Sequence, residues 1–123
     1  MKVFIADDSE VVCERLTIML SELPGIEITG QAKDVGESIE SIRRLHPDVV
    51  ILDIRMPGGS GIDVLEDIKK TNDAPVVIVL TNYPYPQYRK KCMALGAEYF
   101  FDKATEFEKV MEVLETLIQN PHT

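Results

Sequence analysis

Four places in the 123-residue chain set an acid, a hydroxyl or an amine just after an apolar run. Asp7-Asp8 follows Val3-Phe4-Ile5-Ala6, and Asp53 follows Val49-Val50-Ile51-Leu52. Thr81 follows Val76 to Leu80, and Lys103 comes shortly after Tyr99-Phe100-Phe101. Three carboxylates brought close together repel one another and do not all stay ionised without compensation. A divalent cation supplies it: Mg²⁺ takes oxygen ligands, keeps several waters and commonly joins one or two carboxylates to phosphate oxygens. Lys103 and Thr81 suit phosphate oxygens that are not on the metal. Asp53, held at a strand end where burial disfavours its charge, is then placed as a nucleophile of the kind that forms an aspartyl phosphate.

Each residue has a plainer role in isolation. Asp8 or Ser9 suits a helix N-cap, Asp53 a turn before Met56-Pro57-Gly58-Gly59, Thr81 a loop start and Lys103 a solvated surface. Independent capping and solvation do not explain why every central strand ends in a group suited to one cation and one anion.

The elements that must bring these residues together alternate five times. Strand-like segments are Val3–Ala6, Ile26–Gln31, Val49–Asp53, Val76–Leu80 and Glu98–Phe101; helix-like segments are Ser9–Leu23, Val35–Leu45, Gly61–Lys70, Pro86–Leu95 and Thr105–Gln119. Five βα units in this length predict a flavodoxin-like, doubly wound α/β sandwich with a five-stranded parallel sheet in the order 2-1-3-4-5. The first, third and fourth strands are continuous apolar runs, as interior strands covered on both faces are. The second alternates, which suits an edge. In such sheets ligands bind outside the carboxyl ends of the strands at the switch point, here between the first and third strands. That is the rim where the polar residues fall. The segment 120–123 is expected to fray.

Composition narrows the function. Thirteen basic residues against 21 acidic ones give a net charge of −8, and no basic run stands out, so direct nucleic-acid binding is not expected. Cys13 and Cys92 fall inside predicted helices without a Cys-x-x-Cys pair, which argues for small buried thiols over redox or metal chemistry. MKVFIADD turns acidic too early for a signal peptide, and no apolar run approaches the ~20 residues needed to span a bilayer. A cytoplasmic protein with no membrane insertion is expected.

The stretches FIADDSE (4–10), VVILDIRMPGGSG (49–61), VIVLT (77–81) and GAEYFFDK (96–103) resemble the receiver domain of two-component response regulators in its stand-alone, chemotaxis-like form. The resemblance covers the chain as a single domain, 1–123. It implies that Asp53 accepts a phosphoryl group from a sensor histidine kinase or a histidine phosphotransfer protein. It further implies that Asp8 binds Mg²⁺ directly, Asp7 through a water, and the backbone carbonyl of Arg55 completes the protein ligands. Lys103 pairs with the phosphoryl group and Thr81 closes on it. The output implied is a change in the surface of the fourth helix, fifth strand and fifth helix. It is signalled by an aromatic three residues before the lysine, Phe100, with Tyr99 the rival if the strand carries a bulge. A downstream protein target follows, and either a monomer or a phosphorylation-linked homodimer. No enzyme activity is implied beyond self-catalysed phosphorylation and dephosphorylation.

Departures from the family pattern also carry information. Ala104 stands where many relatives have proline after the lysine, often in a cis bond, which opens the geometry of that loop. Asn82 replaces a usually small residue. Arg55 and Tyr83 are bulky at positions that tune hydrolysis of the acyl phosphate, which predicts a long-lived phosphoryl group. Tyr83, Tyr85 and Tyr88 form either a partner patch or a local cluster around two prolines. Two other readings stay open: an excised receiver of a longer DNA-binding regulator, and a pseudo-receiver adaptor that is never phosphorylated. The retained acids, threonine and lysine argue against the adaptor. The start at Met1 and the end just past a fifth helix favour a stand-alone protein over the excised receiver. An aspartate-nucleophile phosphatase would want a second acid where Arg55 stands, and a flavin protein a glycine- and hydroxyl-rich loop in place of ADDSE.

Overall fold

The structure, a computed structural model, describes residues 1–120. Its elements in chain order are β1 (Lys2–Ala6), α1 (Glu10–Ser21), β2 (Glu27–Ala32), α2 (Val35–Leu45), β3 (Val49–Leu52), β4 (Arg55–Met56), β5 (Gly59–Ser60), α3 (Gly61–Ile68), β6 (Val76–Thr81), α4 (Pro86–Ala94), β7 (Tyr99–Asp102) and α5 (Lys109–Gln119). Five strands form a parallel sheet in the order β2-β1-β3-β6-β7. With β6 and β7 as the fourth and fifth strands, this is the expected 2-1-3-4-5 order.

Alternation along each strand divides the core. Phe4, Ala6, Val50, Leu52, Val77, Val79 and Phe100 face one hydrophobic cluster with residues of α2, α3 and α4. Val3, Ile5, Val49, Ile51, Ile78 and Leu80 face the other, with α1 and α5. The strands read as unbroken apolar runs because both faces are covered. β2 is an edge as predicted, and its register against β1 slips between Val3 and Phe4.

Local chemistry sets the helix starts. Ser9 caps α1, Asp34 caps α2, and Ser60 with Asp63 forms a capping box at α3. Pro86 opens α4, a position where its missing N–H costs nothing. α5 begins at Lys109, four residues after the predicted start. In place of a first helical turn, Glu106 accepts the Asp102 N–H at 3.1 Å and donates its own N–H to the Asp102 carbonyl at 2.8 Å. Phe107 is tucked into the α1/α5 core beneath the Arg15 guanidinium. At the other end Asn120 donates to the Thr116 carbonyl, so the described part of the expected fray is a helix cap; residues 121–123 lie outside the described residues.

Candidate functional site

The predicted turn after Asp53 is a small hairpin. β4 and β5 pair antiparallel around Pro57-Gly58, with Gly58 at φ 87°, as a proline–glycine turn requires. The chain then returns so closely that a Cβ on Gly61 would run into the Asp53 carbonyl oxygen, and Gly61 N–H donates to Ile54 O at 2.6 Å. Only glycine fits there. The hairpin and the N-terminus of α3 therefore clamp the backbone on the far side of Asp53, while Asp53 N–H donates to Ala6 O of β1 at 2.9 Å.

Asp7, Asp8 and Asp53 each place a carboxylate oxygen within 4.8 Å of the others. Asp7 and Asp53 are buried and Asp8 is exposed, so the triad has two fixed members and one at an open mouth. Lys103 reaches in from the end of β7, with its Nζ 2.7 Å from Asp7 Oδ2 and 3.0 Å from Asp53 Oδ2. The other oxygens are also engaged: Asp7 Oδ1 accepts Ser9 N–H at 2.9 Å, and Asp53 Oδ1 accepts Ile54 N–H at 2.7 Å.

Burial pushes the Asp7 carboxyl above its ordinary range, and the neighbouring Asp53 charge adds to that; the hydrogen bonds from Lys103 and Ser9 offset it only in part. For Lys103, burial works against the charge, but the hydrogen bond to Asp7 and the charges of Asp53 and Asp7 outweigh it and hold the amine above its ordinary value. The lysine is a fixed cation.

Thr81 is fully buried at the end of β6, level with Asp102 of β7. Its carbonyl accepts Lys103 N–H at 2.9 Å and its Oγ1 accepts Tyr83 N–H at 3.0 Å, which ties the β6 loop to the lysine. Arg55 is exposed, and its guanidinium lies over the Tyr83 ring at 4.1 Å. An open cleft of about 400 Å³, lined by Asp8, Arg55, Ser60 and Tyr88, lies beside the triad.

Asp7, Asp8, Asp53, Thr81 and Lys103 thus end at one rim of the sheet. Reading by strand ends does not find Gly61, whose role depends on a close backbone approach, nor the Arg55–Tyr83 stack. The glycine in the GGSG stretch is its only trace. No peptide bond among the described residues is cis, Lys103–Ala104 included. Both cysteines are buried, and burial pushes the Cys92 thiol up to about 11, so neither is a ready nucleophile. Tyr85 is exposed while Tyr83 and Tyr88 are half-buried, and the three rings pack in sequence at 6.4 and 5.8 Å. Among the described residues no helix is long and apolar enough to cross a membrane.

An all-oxygen triad is the donor set that a hard divalent cation takes, and the exposed Asp8 gives it an entry path. The residues fit Mg²⁺. The family model described as response regulator receiver domain matches residues 3–115. A protein-glutamate methylesterase/protein-glutamine glutaminase of Xanthomonas campestris is 44% identical over 64% of this chain and 22% of its own length. The response regulator GacA of Pseudomonas aeruginosa is 30% identical over 93% of this chain and 53% of its own length. The chain therefore spans about a fifth to a half of the length of these relatives. The response regulator domain of Thermotoga maritima CheB superposes with a TM-score of 0.84 at 29% identity, over 97% of this chain and 94% of that one. Matched across nearly its whole length in sequence and in fold, the chain belongs to the response regulator receiver domain family.

Proposed function

We propose that Asp53 accepts a phosphoryl group from a sensor histidine kinase or histidine phosphotransfer protein, and that α4, β7 and α5 carry the resulting change to a downstream protein. The observation that carries this is the buried Lys103 ammonium set between Asp7 and Asp53, beside an oxygen triad open to solvent through Asp8. A structural ion pair needs one acid; three acids around one lysine leave charge for a second cation.

Each residue has a task. An Asp53 carboxylate oxygen attacks the phosphorus of a phosphohistidine; the new O–P bond forms as the P–N bond breaks, and the imidazole leaves. Such transfer depends on in-line placement and charge neutralisation more than on covalent help. Asp7, Asp8, Asp53 and the Arg55 carbonyl would hold Mg²⁺, which when bound draws charge from the transferred oxygens. Lys103, fixed as a cation, turns from Asp53 to a phosphoryl oxygen. Thr81 Oγ1, which now accepts Tyr83 N–H, keeps its own proton to donate to another. Phe100 is the aromatic switch: β7 pairs with β6 without a bulge, which sets Phe100 opposite Val79 in the core and leaves Tyr99 stacked on Phe101. The protein acts in the cytoplasm as a phosphoacceptor, not an enzyme with an external substrate, and as a monomer or phosphorylation-linked dimer. It contacts neither nucleic acid nor membrane directly.

A second reading, that this receiver works as one part of a longer protein, is supported by the small share of each curated relative it spans. Its own chemistry would be the same. Incubation with Mg²⁺ and a small acyl phosphate, followed by intact mass measurement, tests the proposal. The parent gains one phosphoryl group and Asp53→Asn none; equal gain by both, or none in a folded, Mg²⁺-binding sample, overturns it.

A further inference from the structure

α4 and the loop before it differ in charge from the rest of the chain. The sequence has 21 acidic residues against 13 basic ones, yet no acid occurs between Asp73 and Glu98, a stretch that holds Arg89, Lys90 and Lys91. Successive helix positions are ~100° apart, so these three spread across the outer half of α4, and all are exposed. The helix buries only Cys92 outright, with Tyr88 and Leu95 packed beside it. Tyr85 at its start and Met93 in its last turn are exposed as well, at 49% and 42%. Neither lysine has an ion-pair partner among the described residues. The acids that flank β7 are already engaged, Glu98 by Lys69 and the Val77 N–H, Glu106 by Lys109 and the Asp102 N–H.

Arg89 ties this face to the core. β7 is an edge strand, and the Arg89 guanidinium donates to the Phe100 carbonyl at 3.3 Å and lies over the Phe100 ring at 5.7 Å. An anion that draws on Arg89 therefore competes with a contact between α4 and Phe100. From the acid-free α4 and its unpaired Lys90 and Lys91, we infer that the outer face of this helix is a docking surface for an acidic protein segment. Carboxylates of the segment meet Arg89, Lys90 and Lys91, and its apolar side chains lie on Tyr85 and Met93. The inference rests on the reading of α4 as part of the output surface and names the kind of downstream protein that the surface takes. Charge complementarity of this sort steers encounter and rejects wrong partners. Three cations fall short of the basic stripe that a nucleic acid needs, and a net charge of −8 opposes its approach.

A short peptide of Glu interleaved with Leu and Phe is the probe, and the same peptide with Gln for Glu is its neutral control. Backbone amide shifts of the labelled, unphosphorylated chain are the readout. The acidic peptide gives saturable shifts confined to residues 83–95 and 99–102, weakened by added salt, and the neutral peptide does not. Lys90→Glu with Lys91→Glu, both exposed, weakens binding by about tenfold or more, and a peptide with Lys for Glu binds that variant instead. Equal binding of the neutral peptide, unchanged binding by the variant, or shifts centred elsewhere would overturn the inference. So would stronger shifts of the same residues by a DNA duplex or by phosphatidylserine vesicles. Shifts there that grow with protein concentration alone would give the face to a second copy and overturn it too. The titration needs no phosphoryl group, so a chain that docks the peptide but gains no mass from an acyl phosphate fails only the phosphoacceptor reading.

Discussion

The fold disfavours the ionised form of Asp7. Its folded-state pKa lies above its ordinary value, because burial and Asp53 together outweigh its contacts with Lys103 and Ser9. An acid shifted upward binds more protons folded than unfolded, so its ionised form detracts from stability at neutral pH and the penalty fades as pH falls through the raised pKa. Asp7→Asn should therefore raise the Tm of the metal-free protein by a few degrees, while losing the stabilisation that Mg²⁺ binding would give the parent by mass action. A lower Tm without metal would contradict the electrostatic account. Arg55 and Tyr83 act differently, as a stacked pair beside the rim. Removing both, Arg55→Ala with Tyr83→Ala, should open a path for water and shorten the lifetime of the phosphoryl group; an unchanged lifetime would dismiss the stack as a shield. The rim acids were legible because each apolar run fixes where its strand must end. The bridge that Lys103 makes between Asp7 and Asp53 was not, because it joins residues 96 and 50 positions apart, which no local pattern encodes.

At the scale of elements, the loop that carries Asp53 is set by three neighbours: β1 through the Asp53 N–H, the β4–β5 hairpin, and the first residue of α3. Gly61→Ala tests the last. Its Cβ would press on backbone, not on a side chain that can swing away, so overpacking should cost ~1–3 kcal/mol and lower the phosphorylation rate by displacing Asp53. Unfolding midpoints and phosphorylation kinetics on the same variant check it, and a neutral outcome on both would show that the approach is not a clamp. Sequence periodicity gave the order of elements and the edge position of β2. It missed the start of α5, because Asp102 and Glu106 bond each other reciprocally and Phe107 packs inward before the helix begins. It also read the β4–β5 hairpin only as a turn, since two-residue strands leave no periodicity to find.

Over the whole molecule, the parallel sheet separates two ends with different chemistry. The carboxyl ends gather the acids, the lysine and the threonine, while the amino ends form a cleft around Asp67. On the reading proposed here, the first of these ends makes an acyl phosphate at one aspartate. Treating the phosphorylated protein with borohydride converts an aspartyl phosphate to homoserine, and peptide mass spectrometry then locates it. Homoserine is expected at position 53 alone, dependent on Mg²⁺ and on phosphodonor. Homoserine at position 7 or 8, or none at all in a protein that has gained a phosphoryl group, would contradict it.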